Sequence, residues 1–525
     1  MRMTTPLRTI VLALALCFGS QAAAQDGFVF GDDEVDAVTI GAPVARFLQE
    51  GLDYYAAGRY EDASIYFWSV LEESDVAAED LAPRARFELA KTLTQLELLQ
   101  GALIQYDEII ASGSAHPYFE ASAPWVLTIA RDLPGDVDML RRVAAFRDVF
   151  PDRIEPKYVD EFAFQLGQHF YNVGELDQAL QYLGFVTDVS EYYPRALYLR
   201  AVTHVRQYEA QPAVDALIEL MRIGESDKSE EVQRLAELAR LSMARTFYST
   251  GEYEKAADYY TSIPQSSVHW LDALFESSWA FFQLDRFNRS LGNLHSLNAP
   301  FFNDEYYPEA PILQAVIMFY NCRFADARAV LEEFDYTYGP LRDELEELLL
   351  QLETNADYYA FAEDADARLG RRFDPRLRLI TSEALDDRSV TNSRAFIREL
   401  DRELERIEGA DPGWARSSLG TFLLQETLAA RELSIGQAGQ IVRNRLTGLR
   451  DDLAAHQRSA EAILVEADLA EANALSPDLR AEMFRGREIV ALPERHPEQM
   501  RWAFEGEYWR DELGYYFYQL DSVCQ

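Results

Sequence analysis

A chain of 525 residues, 48% of them hydrophobic, is too long for a single compact core and apolar enough to fold along its length. Its 89 acidic residues outnumber 49 basic ones, for a formal net charge of −40. This argues against nucleic acid and anionic bilayers as partners, since both are held through clustered lysine and arginine, and favours a basic or neutral partner.

Arg2 and Arg8, an apolar run from Ile10 to Phe18 and Ala22-Ala23-Ala24 have the three-part layout of a secretory signal peptide, residues 1–24. Cleavage after Ala24 leaves 47 basic against 89 acidic residues, a charge of −42. The apolar run is far shorter than the roughly 20 residues of a spanning helix, so no membrane span is expected after processing. Leu14-Ala15-Leu16-Cys17 offers a lipid anchor as the alternative, with leucine where a small residue is preferred before Cys17. The expected location is the periplasm of a Gram-negative bacterium. Residues 25–42, with Gly27, Gly31, Asp32, Asp33, Glu34 and Gly41, read as an acidic linker.

From residue 43 a spacing of small and aromatic residues recurs. In Gly51-Leu-Asp-Tyr-Tyr-Ala-Ala-Gly-Arg-Tyr-Glu-Asp-Ala-Ser-Ile-Tyr-Phe67, let Gly51 be position 8; Gly58 is then 15, Tyr60 is 17, Ala63 is 20 and Phe67 is 24. Position 20 recurs as Ala63, Ala102, Ala179, Ala213, Ala256, Ser290 and Ala327, and position 8 as Gly51, Ala90, Gly167, Ala201, Ala244, Ser278 and Ala315. Small residues there let two helices cross closely, while large residues at position 24, such as Phe67, Tyr106 and Leu183, are expected to fill the gap to the next repeat. Gly58, Gly174 and Gly251 suit a tight turn between helices.

This pattern resembles the tetratricopeptide repeat (TPR), with about eight units over residues 43–338, one of them degenerate at 115–150. The resemblance implies an all-α, right-handed helical solenoid whose first helices line a concave groove through positions 2, 5, 9, 12 and 13. The groove candidates are Tyr55, Tyr171, Tyr248, Phe282 and Phe319 at position 12, with Phe275 and Trp279 at positions 5 and 9. Glu161, Asp272 and Glu309 at position 2 would make a partial acidic rim. The lysine and asparagine clamp with which some TPR proteins hold a partner's terminal carboxylate has no counterpart at Leu48, Leu52, Phe164, Gln168, Leu241 and Arg245.

The acidic, one-sided segment Asp343–Leu352 is expected to cap the array within residues 339–372. Residues 373–475 read as a helical hairpin broken at Gly409–Gly413, with Phe396, Leu400, Leu404 and Ile407 on one arm. Val442, Leu446, Leu449, Leu453, Ala460, Ile463, Ala467 and Ala470 make a coiled-coil-like seam on the other. The seam has two candidate mates, residues 390–408 of the same chain or a second copy. In residues 476–525 an aromatic run is expected to form a terminal helix docking Trp509, Leu513, Phe517 and Leu520 on the body. The stretch Arg501–Tyr516 is similar to the ending of cell-envelope TPR proteins from gliding deltaproteobacteria.

Catalytic and metal-binding patterns are absent from the sequence. The seven histidines include no i, i+4 pair, no serine sits in Gly-x-Ser-x-Gly, and there is neither a phosphate-binding glycine loop nor Cys-x-x-Cys. We therefore expect no enzyme, cofactor or metal, although a hydrolase site assembled by tertiary structure is the remaining alternative. Cys322 and Cys524, the cysteines left after export, form a disulfide if the aromatic tail docks at the end of the solenoid, or stay free or pair between molecules if it does not. The functional expectation is a periplasmic scaffold holding another envelope protein, in a motility or envelope assembly. Self-assembly through the hairpin is the rival.

Overall fold

The computed structural model describes residues 43–73, 76–133, 138–302, 305–365, 375–474 and 504–524. The expected signal peptide and linker lie outside these. Among the described residues all regular structure is helical.

The helices are α1 (Pro43–Ala56), α2 (Tyr60–Glu72), α3 (Val76–Gln95), α4 (Leu99–Ser112), α5 (Phe119–Asp132), α6 (Met139–Ala144), α7 (Val159–Val173), α8 (Leu176–Leu183), α9 (Tyr193–Arg206) and α10 (Ala210–Ser226). They continue as α11 (Glu230–Ser249), α12 (Tyr253–Thr261), α13 (Trp270–Gln283), α14 (Phe287–Leu297), α15 (Glu309–Tyr320) and α16 (Phe324–Gln351). After these come α17 (Asn355–Glu363), α18 (Pro375–Leu385), α19 (Arg388–Gly409), the short α20 (Pro412–Ala415) and the 57-residue α21 (Ser418–Ala474). The chain is a helical-repeat fold of TPR type, in which odd-numbered helices up to α15 are the first members of pairs.

Three local features carry the repeat. All seven position-20 anchors, from Ala63 to Ala327, are fully buried at the helix crossings. A Cβ on Gly51 would stand 2.6 Å from the Phe67 ring, and one on Gly167 would stand 2.5 Å from Leu183. Position 24, expected to reach the next repeat, thus fills the crossing of its own repeat at Phe67 and Leu183, because the missing side chain at position 8 leaves the nearest void. The residue at position 15 adopts a left-handed backbone in all seven repeats, glycine or not: Gly58, Glu97, Gly174, Tyr208, Gly251, Asp285 and Cys322 have φ between 56° and 86°. The tight turn demands that conformation whatever side chain is there.

Residues one repeat apart also strut neighbouring repeats. Arg131 on α5 chelates Glu161 on α7, Arg142 pairs with Asp107 at 2.8 Å, and Arg245 on α11 holds Glu276 on α13.

The chain forms two compact units. The first comprises the described residues up to Leu199, with 229–231 and 398–430; the second comprises 200–228, 232–397 and 431 onward. Neither the expected solenoid (43–338) nor the expected hairpin (373–475) is a unit by itself, because the hairpin arms bury their apolar faces on the repeats.

In the first unit, Trp414 of α20 is buried and donates its indole N–H to the Ser64 hydroxyl of α2 at 2.8 Å. Trp68 stacks on Phe422 of α21 at 4.9 Å. Glu403 of α19 is almost completely enclosed and accepts from the backbone N–H groups of Gln100 (2.8 Å) and Gly101 (3.0 Å), in the first turn of α4. Those two donors have no partner inside their own helix, so the carboxylate satisfies groups that would otherwise be buried unpaired.

In the second unit, α16 runs unbroken through Gly339 and Pro340, so the boundary expected between solenoid and cap at 338/339 falls inside one helix. Burial of Leu341, Leu345 and Leu348 on its far side offsets the hydrogen bond that Pro340 cannot donate. Along this stretch the seam of α21 meets α16 as well as the expected α19. Val442, Leu446 and Leu453 pack with the α16 leucines, Ala467 and Ala470 pack on Phe324, and Arg342 donates to Gln457 at 2.5 Å. A Cβ on Gly439 would fall 1.8 Å from the Asn355 carbonyl oxygen, so backbone meets backbone there. Val390, near the start of α19 and remote from the hairpin bend, belongs to the same cluster as Val442 and Leu446, so the expected mate α19 shares this part of the seam with α16.

The described tail, Phe504–Cys524, is not the expected helix. It is an extended strap with a turn at 510–514, and of the four residues expected to dock, only Leu513 is buried while Trp509 is exposed. Left-handed Gly506 and Gly514 break helical continuity, and the strap's amides are spent on the body instead. Tyr518 N–H donates to the Asn288 carbonyl at 3.1 Å, Leu520 N–H to the Asn288 side chain at 3.2 Å, and Val523 N–H to the Asn321 carbonyl at 3.2 Å. Phe504, Tyr508 and Tyr516 close around His295 with ring centroids 4.5 to 5.0 Å away. Cys322 and Cys524 are joined as a disulfide, with Cα atoms 5.1 Å apart, between the left-handed turn before α16 and the end of the strap.

Candidate partner-binding surface

The position-12 aromatics do a packing job first. Four of the five rings lie against the aromatic at position 17, across the left-handed turn of their own repeat: Tyr55 on Tyr60 at 5.3 Å, Tyr248 on Tyr253 at 5.3 Å, Phe282 on Phe287 at 5.8 Å and Phe319 on Phe324 at 5.6 Å, while Tyr171 has Leu176 there. The i, i+5 aromatic spacing is visible in the sequence and is the signal that reading position 12 alone misses. The edge-on and tilted geometries are those ring quadrupoles prefer.

In the first unit the sequence candidates are already occupied. Tyr171 is buried. Glu161, expected on a rim, is also buried and is chelated by Arg131, with one N–H donating at 2.7 Å. At Tyr55 the Lys91 ammonium lies 5.0 Å from the ring centroid, with Phe87 and Trp125 at 5.4 and 5.9 Å, and pairs with Glu88 at 2.8 Å. Burial, then Tyr60 and Glu88, push the Tyr55 phenol up to about 12.

The second unit brings the remaining candidates together. Trp279 and Phe282 on α13 meet edge to face at 5.8 Å, and Phe282 meets Tyr320 of α15 at 5.5 Å, so three rings form a continuous half-open row. Tyr320, which sequence reading passed over, is exposed at its end. Phe319 does not belong to the open row: it packs with Phe324 against Ala467 and Ala470 of α21, which covers this end of the groove. Phe275 packs on Tyr307 at 5.5 Å, and the Tyr307 hydroxyl donates to Asp272 at 3.0 Å.

Charge on this face is unevenly balanced. Arg245 is committed to Glu276 through its Nε at 2.8 Å and its Nη2 at 2.5 Å. Glu309, at the start of α15, has no hydrogen-bond or ion-pair partner among the described residues, and burial alone pushes its carboxyl up. It lies close enough to the Tyr248 phenol on α11 to push that group up too, after burial and Tyr253, so Glu309 faces the inner side of these first helices. Among the described residues no group of three or more His, Cys, Asp or Glu could hold a metal, and no helix is long and apolar enough to cross a membrane.

No protein-family model and no curated protein matches this chain. Solved structures to which it is similar are the apo form of RapI (16% identity, 69% of this chain and 98% of that one, TM-score 0.36) and a tetratricopeptide repeat protein from Parabacteroides merdae (14%, 56% and 92%, TM-score 0.24). The TPR domain of P58(IPK) is a third (16%, 75% and 99%, TM-score 0.18). Likenesses this loose add nothing to the architecture, which rests on the buried anchors, the left-handed turns and the helix pairs.

Proposed function

We propose that this protein is a non-enzymatic scaffold of a bacterial cell envelope, exported by its N-terminal signal, that holds a helix or extended segment of another envelope protein in its concave groove. The observation that carries the reading is the row Trp279, Phe282 and Tyr320, three aromatic rings in mutual contact that stay half-open on the first helices α13 and α15. The resemblance of Arg501–Tyr516 to the ending of envelope proteins from gliding bacteria is what suggests an envelope or motility assembly. Self-assembly through the hairpin is the weaker reading, because Val442, Leu446, Leu453, Ala460, Ala467 and Ala470 are buried within the chain.

A photo-crosslinking amino acid placed at Trp279 or at exposed Glu333 tests this in living cells. An adduct with one envelope protein is expected at 279 and not at 333, and Phe282→Ala should remove it. Phe319→Ala should instead lower the melting temperature, since its ring is spent on α21. No adduct at 279, or equal adducts at both positions, sinks the proposal.

A further inference from the structure

We infer that the groove of the second unit takes a cationic segment, its lysine or arginine paired with Glu309 and its aliphatic side chains laid on the Trp279–Phe282–Tyr320 row. The inference rests on the groove reading and names the partner's chemistry. Three observations lead to it.

The first is an imbalance. Across α11 and α13 the carboxylates Asp272 and Glu276 lie near Arg245, and that arginine is consumed by Glu276. Asp272 receives the Tyr307 hydroxyl, which leaves Glu309 half-buried without a donor. A carboxylate losing water without gaining a partner costs free energy, which an incoming cation would return.

The second is a comparison inside the chain. In the first unit a position-12 tyrosine (Tyr55), two further rings and a carboxylate (Glu88) surround a cation, and the chain supplies it itself as Lys91. In the second unit position-12 rings are again present and a carboxylate, Glu309, stands at position 2 of α15 rather than at the position 6 of Glu88, but position 9, which holds Lys91 in its repeat, is Trp279 on α13 and Val316 on α15. The ammonium would have to come from outside. Aromatic faces beside a carboxylate favour such a group through the ring quadrupole as well as charge.

The third is the acidity of the whole chain, −40, which raises the local concentration of cationic segments and repels acidic ones. Because this field acts everywhere, the test must separate site from background.

Along α15, Glu309 and Tyr320 are about 16 Å apart, a span that a helical 15-mer covers. Three fluorescent 15-residue peptides with blocked ends, built from leucine and alanine with lysine, glutamine or glutamate at the polar positions, are titrated into the full oxidised protein at about 0.15 M salt. The leucine–lysine peptide should bind saturably and at least tenfold more tightly than the glutamate one. Glu309→Lys should weaken it at least tenfold and leave the glutamine peptide unchanged, whereas Glu333→Lys, the same charge change on the exposed side of α16, should weaken it less than threefold. Glu309→Gln serves where the lysine variant does not fold, with a loss of at least fivefold expected. If Glu309 and Glu333 variants weaken binding equally, or the lysine peptide does not saturate, the inference is overturned. If all three peptides bind alike and Phe282→Ala abolishes binding, the groove reading survives and only the cationic partner is lost; if Phe282→Ala changes nothing, the groove reading fails as well.

Discussion

The indole N–H of Trp414 donates to the hydroxyl of Ser64 at 2.8 Å, joining positions 350 apart in the chain. Both residues are buried, and the Ser64 hydroxyl donates in turn to the Glu61 carbonyl. Trp414→Phe should therefore cost about 1 kcal/mol for the lost hydrogen bond, and Trp414→Ala about 3–5 kcal/mol because a cavity is added. Urea unfolding of the two variants checks this; an alanine variant within about 1 kcal/mol of the parent would mean that α20 does not anchor the first unit.

Glu403 makes the first unit sensitive to pH. Burial pushes its carboxyl from 4.5 up to about 7, against the pull of the Gln100 and Gly101 amides, Thr427 and Arg406. A carboxyl whose pKa is raised by folding binds its proton more tightly in the folded state, so its contribution is fully present below the unfolded value and is lost as pH rises through about 7. Between pH 8 and pH 5 the parent should gain on the order of 2–3 kcal/mol relative to Glu403→Gln. A stability difference that stays flat across that range would remove the assignment.

Tyr208 carries a side chain where the turn asks for none. It is 95% exposed with φ of 62°, so its ring contributes little while its Cβ strains the backbone. Tyr208→Gly should raise stability by about 1 kcal/mol, the reverse of what glycine does inside a helix. A destabilised variant would show that the ring makes contacts that offset the strain.

The Cys322–Cys524 disulfide closes a separation of 202 residues, for which the chain-entropy model gives about 5 kcal/mol. Cys524→Ser should leave the helix pairs folded and open Arg510 in the strap to trypsin. Peptide mapping of the purified protein without reductant should recover the linked pair. Recovery of both cysteines as free, alkylatable thiols in the folded protein would contradict it.

Much of the repeat could be read from residues alone because it is made by local rules. A small residue twelve positions before another permits a helix crossing wherever it occurs, and all seven anchors, from Ala63 to Ala327, lie fully buried at such crossings. The turn five residues before each anchor followed from its glycines in three repeats, and the same geometry governs Glu97, Tyr208, Asp285 and Cys322 because it is set by chain length between helices rather than by side chain. What sequence could not decide is which partner an amphipathic face meets. Periodicity offered the seam of α21 residues 390–408 or a second copy, and the close approach at Gly439 and the leucines of α16 added a neighbour that periodicity did not name. Acidic residues at position 2 look alike in sequence, yet Glu161 is buried on Arg131, Asp272 accepts from Tyr307 and Glu309 has no partner among the described residues, because only the neighbouring repeat determines whether a cation or a hydroxyl reaches that position. The aromatic tail has enough apolar residues for a helix, but its amides find carbonyls on α14 and α15 that a solitary helix would have had to supply itself, and tertiary structure therefore draws it out into a strap.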